Sequence, residues 1–276
     1  MNAKYDLSGK TALLTGAAGL LGGEHARGIL QHGGTIVLTD VDQTGLEKQR
    51  IKLVKEFGQG NVTALIMDVT NEVSINRAAE HLITAGTHIS ILINNAAIDP
   101  KVNAKNTLGE ESRLENFSLE QWNLELAVGL TGAFLCSKVF GTLMAASEKA
   151  GVILNIASDL SVISPDQRLY SVEGLTPDLQ PVKPITYSAI KSGIVGLTRY
   201  IATYWADKNI RCNSLSPGGV ENGQGQDFTR KLISRIPEGR MATTDEYRAA
   251  IQFLCSDASQ YMNGQNIVMD GGRSVW

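Results

Sequence analysis

Short apolar runs alternate with amphipathic stretches along nearly the whole chain. Thr11-Ala-Leu-Leu-Thr15 reads as a first strand, followed by a glycine-punctuated turn and a helical pattern to His32. Thr35 to Asp40 reads as a second strand, 45–57 as a helix ending near Gly58 and Gly60, and Val62 to Met67 as a third strand closed by Asp68-Val69. A helix over 74–85 leads to a fourth strand, Ile89 to Ile93, which runs into Asn94-Asn95-Ala96-Ala97. Leu119 to Ala150 carries a helical pattern with a bend expected near Gly129 and Gly132. Gly151 to Ala157 is a fifth strand ending at Ser158-Asp159; Ile185 to about Asp207 is helical; Ile210 to Ser216 is a sixth strand ending at Pro217-Gly218-Gly219-Val220. Short helices over about 227–236 and 245–254 precede a seventh strand, Ile267 to Asp270, closed by Gly271-Gly272. Apolar runs of strand length separated by segments of helical period predict repeated βα units. The fold class expected is α/β: one doubly wound parallel sheet in a three-layer α/β/α sandwich, a single domain over 1–276.

Two stretches break the alternation. Asp99 to Phe117 is polar and reads as a long loop, either plain surface or the rim of a binding site. Ser164 to Pro184 contains Pro165, Pro177, Pro181, Pro184 and Gly174, which forbid a long helix and predict an irregular excursion at about 164–184.

The candidate chemistry falls where such a sheet puts it, beyond the carboxyl ends of the strands. Gly16-Ala-Ala-Gly19-Leu-Leu-Gly22 joins a strand to a helix. Glycines there let the backbone approach a pyrophosphate, and the helix N-terminus offers free N–H groups and a positive dipole end. Asp40 closes the next strand, where a carboxylate can accept hydrogen bonds from an adenosine ribose. Asp42 follows, with no Arg or Lys adjacent, and carboxylates there repel a 2′-phosphate, so NAD is expected over NADP. A solvated turn is the alternative for this acidic pair. Further along, Tyr187 precedes Lys191 by one helical turn, so both leave the same helix face. An ammonium beside a phenol favours phenolate, and the sequence therefore predicts a lowered tyrosine pKa suited to acid–base work near neutral pH. Such a pair on its own is common on ordinary helix faces. Ser158, at the end of the fifth strand, is either a turn residue or a hydrogen-bond donor to a substrate oxygen.

Composition narrows the classes. With 276 residues, 43% of them hydrophobic, and a formal net charge of -3, nothing points to nucleic acid or to a basic membrane surface. The polar start, Met1 to Lys10, has no apolar signal core, and no uninterrupted apolar run reaches bilayer length, which predicts a cytoplasmic protein. Cys136, Cys212 and Cys255 are widely spaced in apolar surroundings and read as buried thiols; no metal site is expected.

Seven pieces in order, Thr15-Gly16…Gly22, Asp68-Val69, Asn94-Asn95-Ala96, Asn155-Ile-Ala-Ser158, Tyr187…Lys191, Pro217-Gly218 and Asp270-Gly271-Gly272, together resemble the short-chain dehydrogenase/reductase family over essentially the whole chain. The resemblance implies a Rossmann-like fold and NAD(P)-linked hydride transfer at a carbinol or carbonyl carbon. It implies Ser158, Tyr187 and Lys191 as catalytic residues: Tyr187 as acid/base, Lys191 as its pKa partner and a ligand of the nicotinamide ribose, Ser158 as donor to the substrate oxygen. For the cofactor it implies Gly16, Gly19, Leu21, Gly22 and Asp40, with Asp68 and Val69 at the adenine, Asn95 along the dinucleotide, and Pro217 and Val220 in the segment covering the nicotinamide. The sequence departs from the family pattern in four places. Leu20 stands where the ~250-residue branch usually has glycine, and Gly129 where an active-site Asn is usual. The Ser158-to-Tyr187 gap is lengthened by the excursion, whose Asp166, Gln167 and Arg168 could meet a polar substrate or serve oligomer contacts. Asn222 replaces a threonine. Gly-Leu-Leu-Gly, Pro-Asp-Gln-Arg, Pro-Gly-Gly-Val and the terminal Trp276 make the chain similar to a subgroup encoded with bacterial surface-glycan and flagellar-modification pathways.

The expected function is an NAD-dependent oxidoreductase of a small polar hydroxy or oxo compound, such as a sugar derivative. A reductase of lipid-like or aromatic ketones is the alternative within enzymes, and a non-catalytic NAD-binding sensor the alternative outside them. The expected partners are a small-molecule substrate and further copies of the chain, as a homodimer or homotetramer through the long apolar helices.

Overall fold

The computed structural model describes residues 3–99, 111–147 and 149–276. Seven strands form one sheet: β1 Thr11–Thr15, β2 Thr35–Asp40, β3 Val62–Ile66, β4 Ile91–Asn94, β5 Gly151–Ile156, β6 Ile210–Pro217 and β7 Asn266–Met269. Their order is β3-β2-β1-β4-β5-β6-β7, and every neighbouring pair is parallel. The doubly wound sheet expected from the sequence is present, and its strand order reverses between β1 and β4, where such sheets open a crevice.

Alternation along the strands sorts the core. Ala12, Leu14, Ile36, Leu38, Ile91, Ile93, Val152 and Leu154 point to one face. There they meet α1 (Gly22–Leu30), α2 (Gln43–Phe57) and α7 (Arg248–Cys255). Leu13, Val37, Leu92 and Ile153 point to the other face, against α3 (Glu72–Thr84), α4 (Leu119–Ala146) and α5 (Ile185–Tyr204). Successive side chains of a strand leave opposite faces, so a sheet covered on both sides needs apolar residues at nearly every position. A further short helix, α6 (Gln226–Ile233), lies beyond β6.

Local chemistry sets the helix ends. The Asn71 side chain accepts hydrogen bonds from the Val73 and Ser74 amides, so α3 begins two residues before the apolar periodicity does. Asp42 caps α2 by accepting from Gly45 N at 3.0 Å. At its far end α5 stops at Tyr204, ahead of the expected Asp207; a 3-10 turn at Ala206–Lys208 and a left-handed Asn209 (φ 57°) complete the exit. The expected bend in α4 takes the form of a π turn at Ala127–Thr131. By length and composition α4 could cross a membrane, which the sequence reading did not anticipate. Its Cys136, Phe140 and Met144 are nevertheless buried against the sheet, and it serves as a core helix.

The 164–184 excursion is ordered around two 3-10 turns, Gln167–Tyr170 and Pro177–Leu179. Gln180 braces it, accepting from Val172 N at 2.7 Å and donating to Val172 O at 3.0 Å. Leu169 anchors it in a satellite cluster with Leu232, Ile236 and Met241. Most of the 99–117 stretch lies outside the described residues.

Candidate active site

At the switch point, the turn after β1 is held from three directions. Gly16 has φ 64°, a backbone region that disfavours side chains, and a Cβ there would lie 2.7 Å from Ala96 Cα. At Gly22 a Cβ would lie 2.4 Å from Ala17 O. The Asn95 Nδ2 donates to Thr15 O (3.0 Å) and Gly16 O (2.9 Å), locking β1 to the end of β4. Asp40 accepts from Ala18 N at 2.9 Å through Oδ2 and from Asp42 N at 3.0 Å through Oδ1. Its carboxylate therefore shapes the glycine turn, and lone pairs remain on both oxygens. This glycine cradle, lying at the N-terminus of α1 with a carboxylate one strand away, fits a dinucleotide. Leu20 is largely exposed, so the departure at that position adds an outward side chain without filling the cradle. Leu21, at the N-cap of α1, is partly buried against the adjacent core.

The other expected cofactor residues sit on the same carboxyl edge. Asp68 spends one oxygen on a local turn, accepting from Thr70 N (2.8 Å) and Thr70 Oγ1 (2.7 Å). Val69 turns inward, and a Cβ on Gly132 of α4 would meet it at 2.8 Å. Pro217 ends β6, and Val220 bridges to Ala242.

Ser158 is buried beyond β5. Tyr187, in the first turn of α5, lies close enough for the Ser158 hydroxyl to favour its ionised form, while Ser158 Oγ itself donates to Asp159 Oδ1 at 2.9 Å. The strand that leads to Ser158 and the helix that carries Tyr187 are registered by a buried polar network. Asn94 Nδ2 donates to Asn155 Oδ1 (2.8 Å) and Ser137 Oγ (3.0 Å), and Asn155 Nδ2 donates to Thr198 Oγ1 (2.9 Å). Beside Tyr187, Thr186 Oγ1 donates to the buried Glu125 of α4. Gly129 is where the family's Asn would stand, and a Cβ there would lie 2.7 Å from Ile190 Cγ2 of α5. Close helix packing has taken the space that a side chain would need.

One expectation fails. The Tyr187 phenol is pushed up, not down: burial opposes its ionisation, and the Asp99 carboxylate opposes it further, against a smaller favourable effect from Ser158. Lys191 Nζ lies 5.5 Å from the ring centroid and donates instead to Ile156 O at 2.9 Å. Burial pulls the Lys191 ammonium down to about 8. In this state Tyr187 is an acid at neutral pH, and Lys191 can exchange a proton near it.

Around Tyr187 stands a wall of charged and polar groups that the sequence reading did not single out. Lys183 Nζ lies 4.1 Å from the Tyr187 ring centroid and pairs with Asp99 at 2.6 Å. Arg273 Nη1 pairs with the buried Asp159 at 2.6 Å. Tyr170 is close enough to Arg273, Asp99 and Asp159 to feel all three charges, and burial pushes its phenol up. His25 of α1 is fully buried, with neither ring nitrogen partnered among the described residues, and burial pulls it down to about 4. By contrast, Asp166, Gln167 and Arg168 are largely committed to the excursion itself. Arg168 folds back on Asp166 (2.8 Å), Asp166 also pairs with Arg235 (3.3 Å), and Gln167 accepts from Lys183 N (2.8 Å). Asn222 is exposed and takes Gln224 as a backbone partner.

An open parallel sheet with this glycine turn at its switch point, and a serine, tyrosine and lysine beyond the neighbouring strand, defines a dinucleotide-linked oxidoreductase. The profile of the short chain dehydrogenase family matches residues 10–232, and the chain belongs to that family. It is 31% identical over 279 residues to D-threitol dehydrogenase of Mycolicibacterium smegmatis, a match covering 98% of this chain and 95% of the relative. In structure it resembles a gluconate 5-dehydrogenase from Burkholderia cenocepacia in complex with NADP and tartrate (TM-score 0.84, 26% identity, 99% and 98% of the two chains). It also resembles a short chain dehydrogenase from Leptospira borgpetersenii with bound NAD+ (TM-score 0.84, 28% identity, 100% and 96% covered). The chain is an NAD(P)-linked oxidoreductase of hydroxyl and oxo carbons.

Proposed function

We propose that this chain is an NAD-linked dehydrogenase of a small, polyhydroxylated alcohol or its ketone, of the sugar or polyol class, acting in the cytoplasm. The observation that carries this reading is the wall around Tyr187. It is built from two ion pairs, Lys183–Asp99 and Arg273–Asp159, together with the Tyr170 phenol. Hydroxyl groups can both donate to and accept from such a wall, whereas a hydrocarbon chain would strip water from it without return. A threitol dehydrogenase and a gluconate 5-dehydrogenase among the similar proteins fit the same reading. So does the resemblance to surface-glycan oxidoreductases, which would make the substrate a sugar derivative of that biosynthesis.

When bound, the nicotinamide supplies or takes up the hydride. In the reduction direction Tyr187 Oη gives its proton to the carbonyl oxygen, and in oxidation, once ionised, it accepts the proton leaving the substrate hydroxyl. Ser158 Oγ, which donates to Asp159 Oδ1 in this structure, turns its proton to that oxygen when substrate is bound. Lys191, with its ammonium pulled down to about 8, is placed to resupply Tyr187 near neutral pH. Gly16, Gly19, Leu21 and Gly22 form the pyrophosphate turn, and Asp40 reads the adenosine ribose. Asp68, Val69, Asn95, Pro217 and Val220 line the rest of the dinucleotide.

The preference for NAD rests on Asp40 and Asp42, with no neighbouring cation to receive a 2′-phosphate. We read the assembly as a homodimer or homotetramer. Leu119, Leu124 and Phe134 of α4 and Ile185, Tyr200 and Tyr204 of α5 are exposed, leaving an apolar surface that a second copy would cover. The test is calorimetric binding of NADH and NADPH to wild type and Asp40→Ala, followed by rate measurements on D-threitol, glycerol and D-gluconate. NADH preference that collapses in the variant, with turnover of a polyol or sugar acid, is the expected result. Preference for NADPH, or turnover confined to apolar ketones, would overturn the reading.

A further inference from the structure

Asp159 is a buried carboxylate one residue from the active-site serine. Ser158 Oγ donates to Asp159 Oδ1 at 2.9 Å, and Arg273 Nη1 donates to Asp159 Oδ2 at 2.6 Å. Both charged side chains are nearly inaccessible, at 5% and 10% exposure. Arg273 reaches this position from the far end of the chain because the segment after β7 is held on both sides of it. Asp270 accepts from Gly272 N (3.0 Å) and Ser274 N (2.7 Å), and Trp276 Nε1 donates to Arg235 O (3.0 Å). Gly271 and Gly272, at φ 66° and 87°, make the reversal that lays the segment across the site.

An unneutralised carboxylate in this place would have two effects on the chemistry. It would hold the Ser158 proton in a charge-assisted hydrogen bond, withholding it from the substrate oxygen. It would also oppose any negative charge on the Tyr187 oxygen. Other groups also bear on that phenol: Lys183 and Asp99 on one side, Tyr170 from the excursion, Ser158, and Lys191 one helical turn along, with His25 beyond it. Among these, Asp99 opposes charge on the phenol more strongly than Asp159 does and has Lys183 as its partner, while the cation that pairs with Asp159 is Arg273.

We propose that Arg273 is a positioning residue of the active site: by sharing the Asp159 carboxylate it weakens that carboxylate's hold on the Ser158 hydroxyl, so that a substrate oxygen can compete for it, and it sets the pH at which Tyr187 can act as a base. The proposal rests on the reading of Ser158 and Tyr187 as the proton-handling pair. Guanidinium suits the role because it stays charged when buried and offers several fixed donors.

The test compares Arg273→Gln, Asp159→Asn, the double variant and Arg273→Lys. NAD+ reduction is followed against pH with D-threitol and D-gluconate as probes. In parallel, the deprotonation of Tyr187 is followed by NMR of the NAD+-loaded full chain carrying [13Cζ]tyrosine, which needs no substrate; Tyr187→Phe identifies the signal. In Arg273→Gln the Tyr187 midpoint, and with it the ascending limb of the rate profile, moves about one pH unit upward. It moves downward in Asp159→Asn, returns to the wild-type position in the double variant, and stays there in Arg273→Lys. The kcat in Arg273→Gln falls more than tenfold at neutral pH while KM changes less than threefold. An unmoved midpoint in both single variants, or shifts in the same direction, would show a merely structural strut and overturn the proposal. If Tyr187→Phe is inactive but the midpoints stay put, only this proposal falls; if Tyr187→Phe turns over normally, the catalytic reading falls and takes the proposal with it.

Discussion

Lys191 is the costliest side chain in the site, and its cost is measurable. It is buried, its Nζ meets the Ile156 carbonyl at 2.9 Å, and burial pulls its pKa from 10.5 to about 8. At ~1.4 kcal/mol per pKa unit, that fall corresponds to roughly 3 kcal/mol of stability given up while the group is charged in both states. Lys191→Met removes the buried charge and also the bond to Ile156 O, a loss of about 2 kcal/mol. The variant is therefore about 1 kcal/mol more stable than wild type at pH 7. The sign of the pH dependence follows from the proton count. Between pH 8 and 10.5 the unfolded chain keeps the lysine proton while the folded chain has released it, so this group makes wild type more stable as pH rises. Buried thiols and phenols act in the opposite sense over that range, but they are common to both proteins and cancel in the difference. Urea denaturation at pH 7 and pH 10, followed by tryptophan fluorescence, reads that difference directly. Wild type should gain most of the 3 kcal/mol on the variant between the two pH values and overtake it. A wild-type-minus-variant difference that is the same at both, or that falls with pH, would refute the claim that Lys191 sits as a buried charge.

Two further substitutions test the scaffold of the site. Gly22→Ala puts a methyl 2.4 Å from Ala17 O, so the turn must move; dinucleotide affinity measured by calorimetry should fall at least tenfold, on the order of 1.4 kcal/mol or more, with the far-ultraviolet spectrum unchanged. Asn155→Leu removes two buried hydrogen bonds, leaving the Asn94 amide only Ser137 Oγ and the Thr198 hydroxyl only Ile194 O, and should destabilise the fold by about 2–3 kcal/mol in denaturant titrations, whereas the exposed Asn222→Leu should change it by less than about 0.5 kcal/mol.

What was legible in the sequence was local. The glycine turn, Asp40 and the Tyr187–Lys191 spacing each lie within one βα unit or one helical turn, and the alternation of apolar runs carried the sheet. The strand ends that place Asp68, Asn95 and Ser158 followed from the same pattern. The bend near Gly129 was visible as a pair of glycines, although only packing shows that Ile190 occupies the space a side chain would need. The wall around Tyr187 was not legible, because its pairs join distant parts of the chain: Lys183 to Asp99 across 84 residues, Arg273 to Asp159 across 114. In hindsight the signal at Asp159 was an acid directly after Ser158, and at Arg273 a base just past a double glycine. The Tyr187 pKa came out in the wrong direction because spacing shows that Lys191 is near but not that it turns toward Ile156 O, nor how dry the phenol is. Asp166 and Arg168 were open to two readings, substrate contact or oligomer contact, and the structure shows them paired with each other.

The central claim is that Tyr187 handles the proton in a hydride transfer carried out on a bound dinucleotide. The most direct measurement is turnover of wild type and Tyr187→Phe on a polyol, with NADH binding by calorimetry on the same two preparations. The account predicts unchanged NADH affinity, within about threefold, and turnover reduced by at least a hundredfold, the scale expected for loss of a general acid–base. Near-normal turnover by Tyr187→Phe would contradict it.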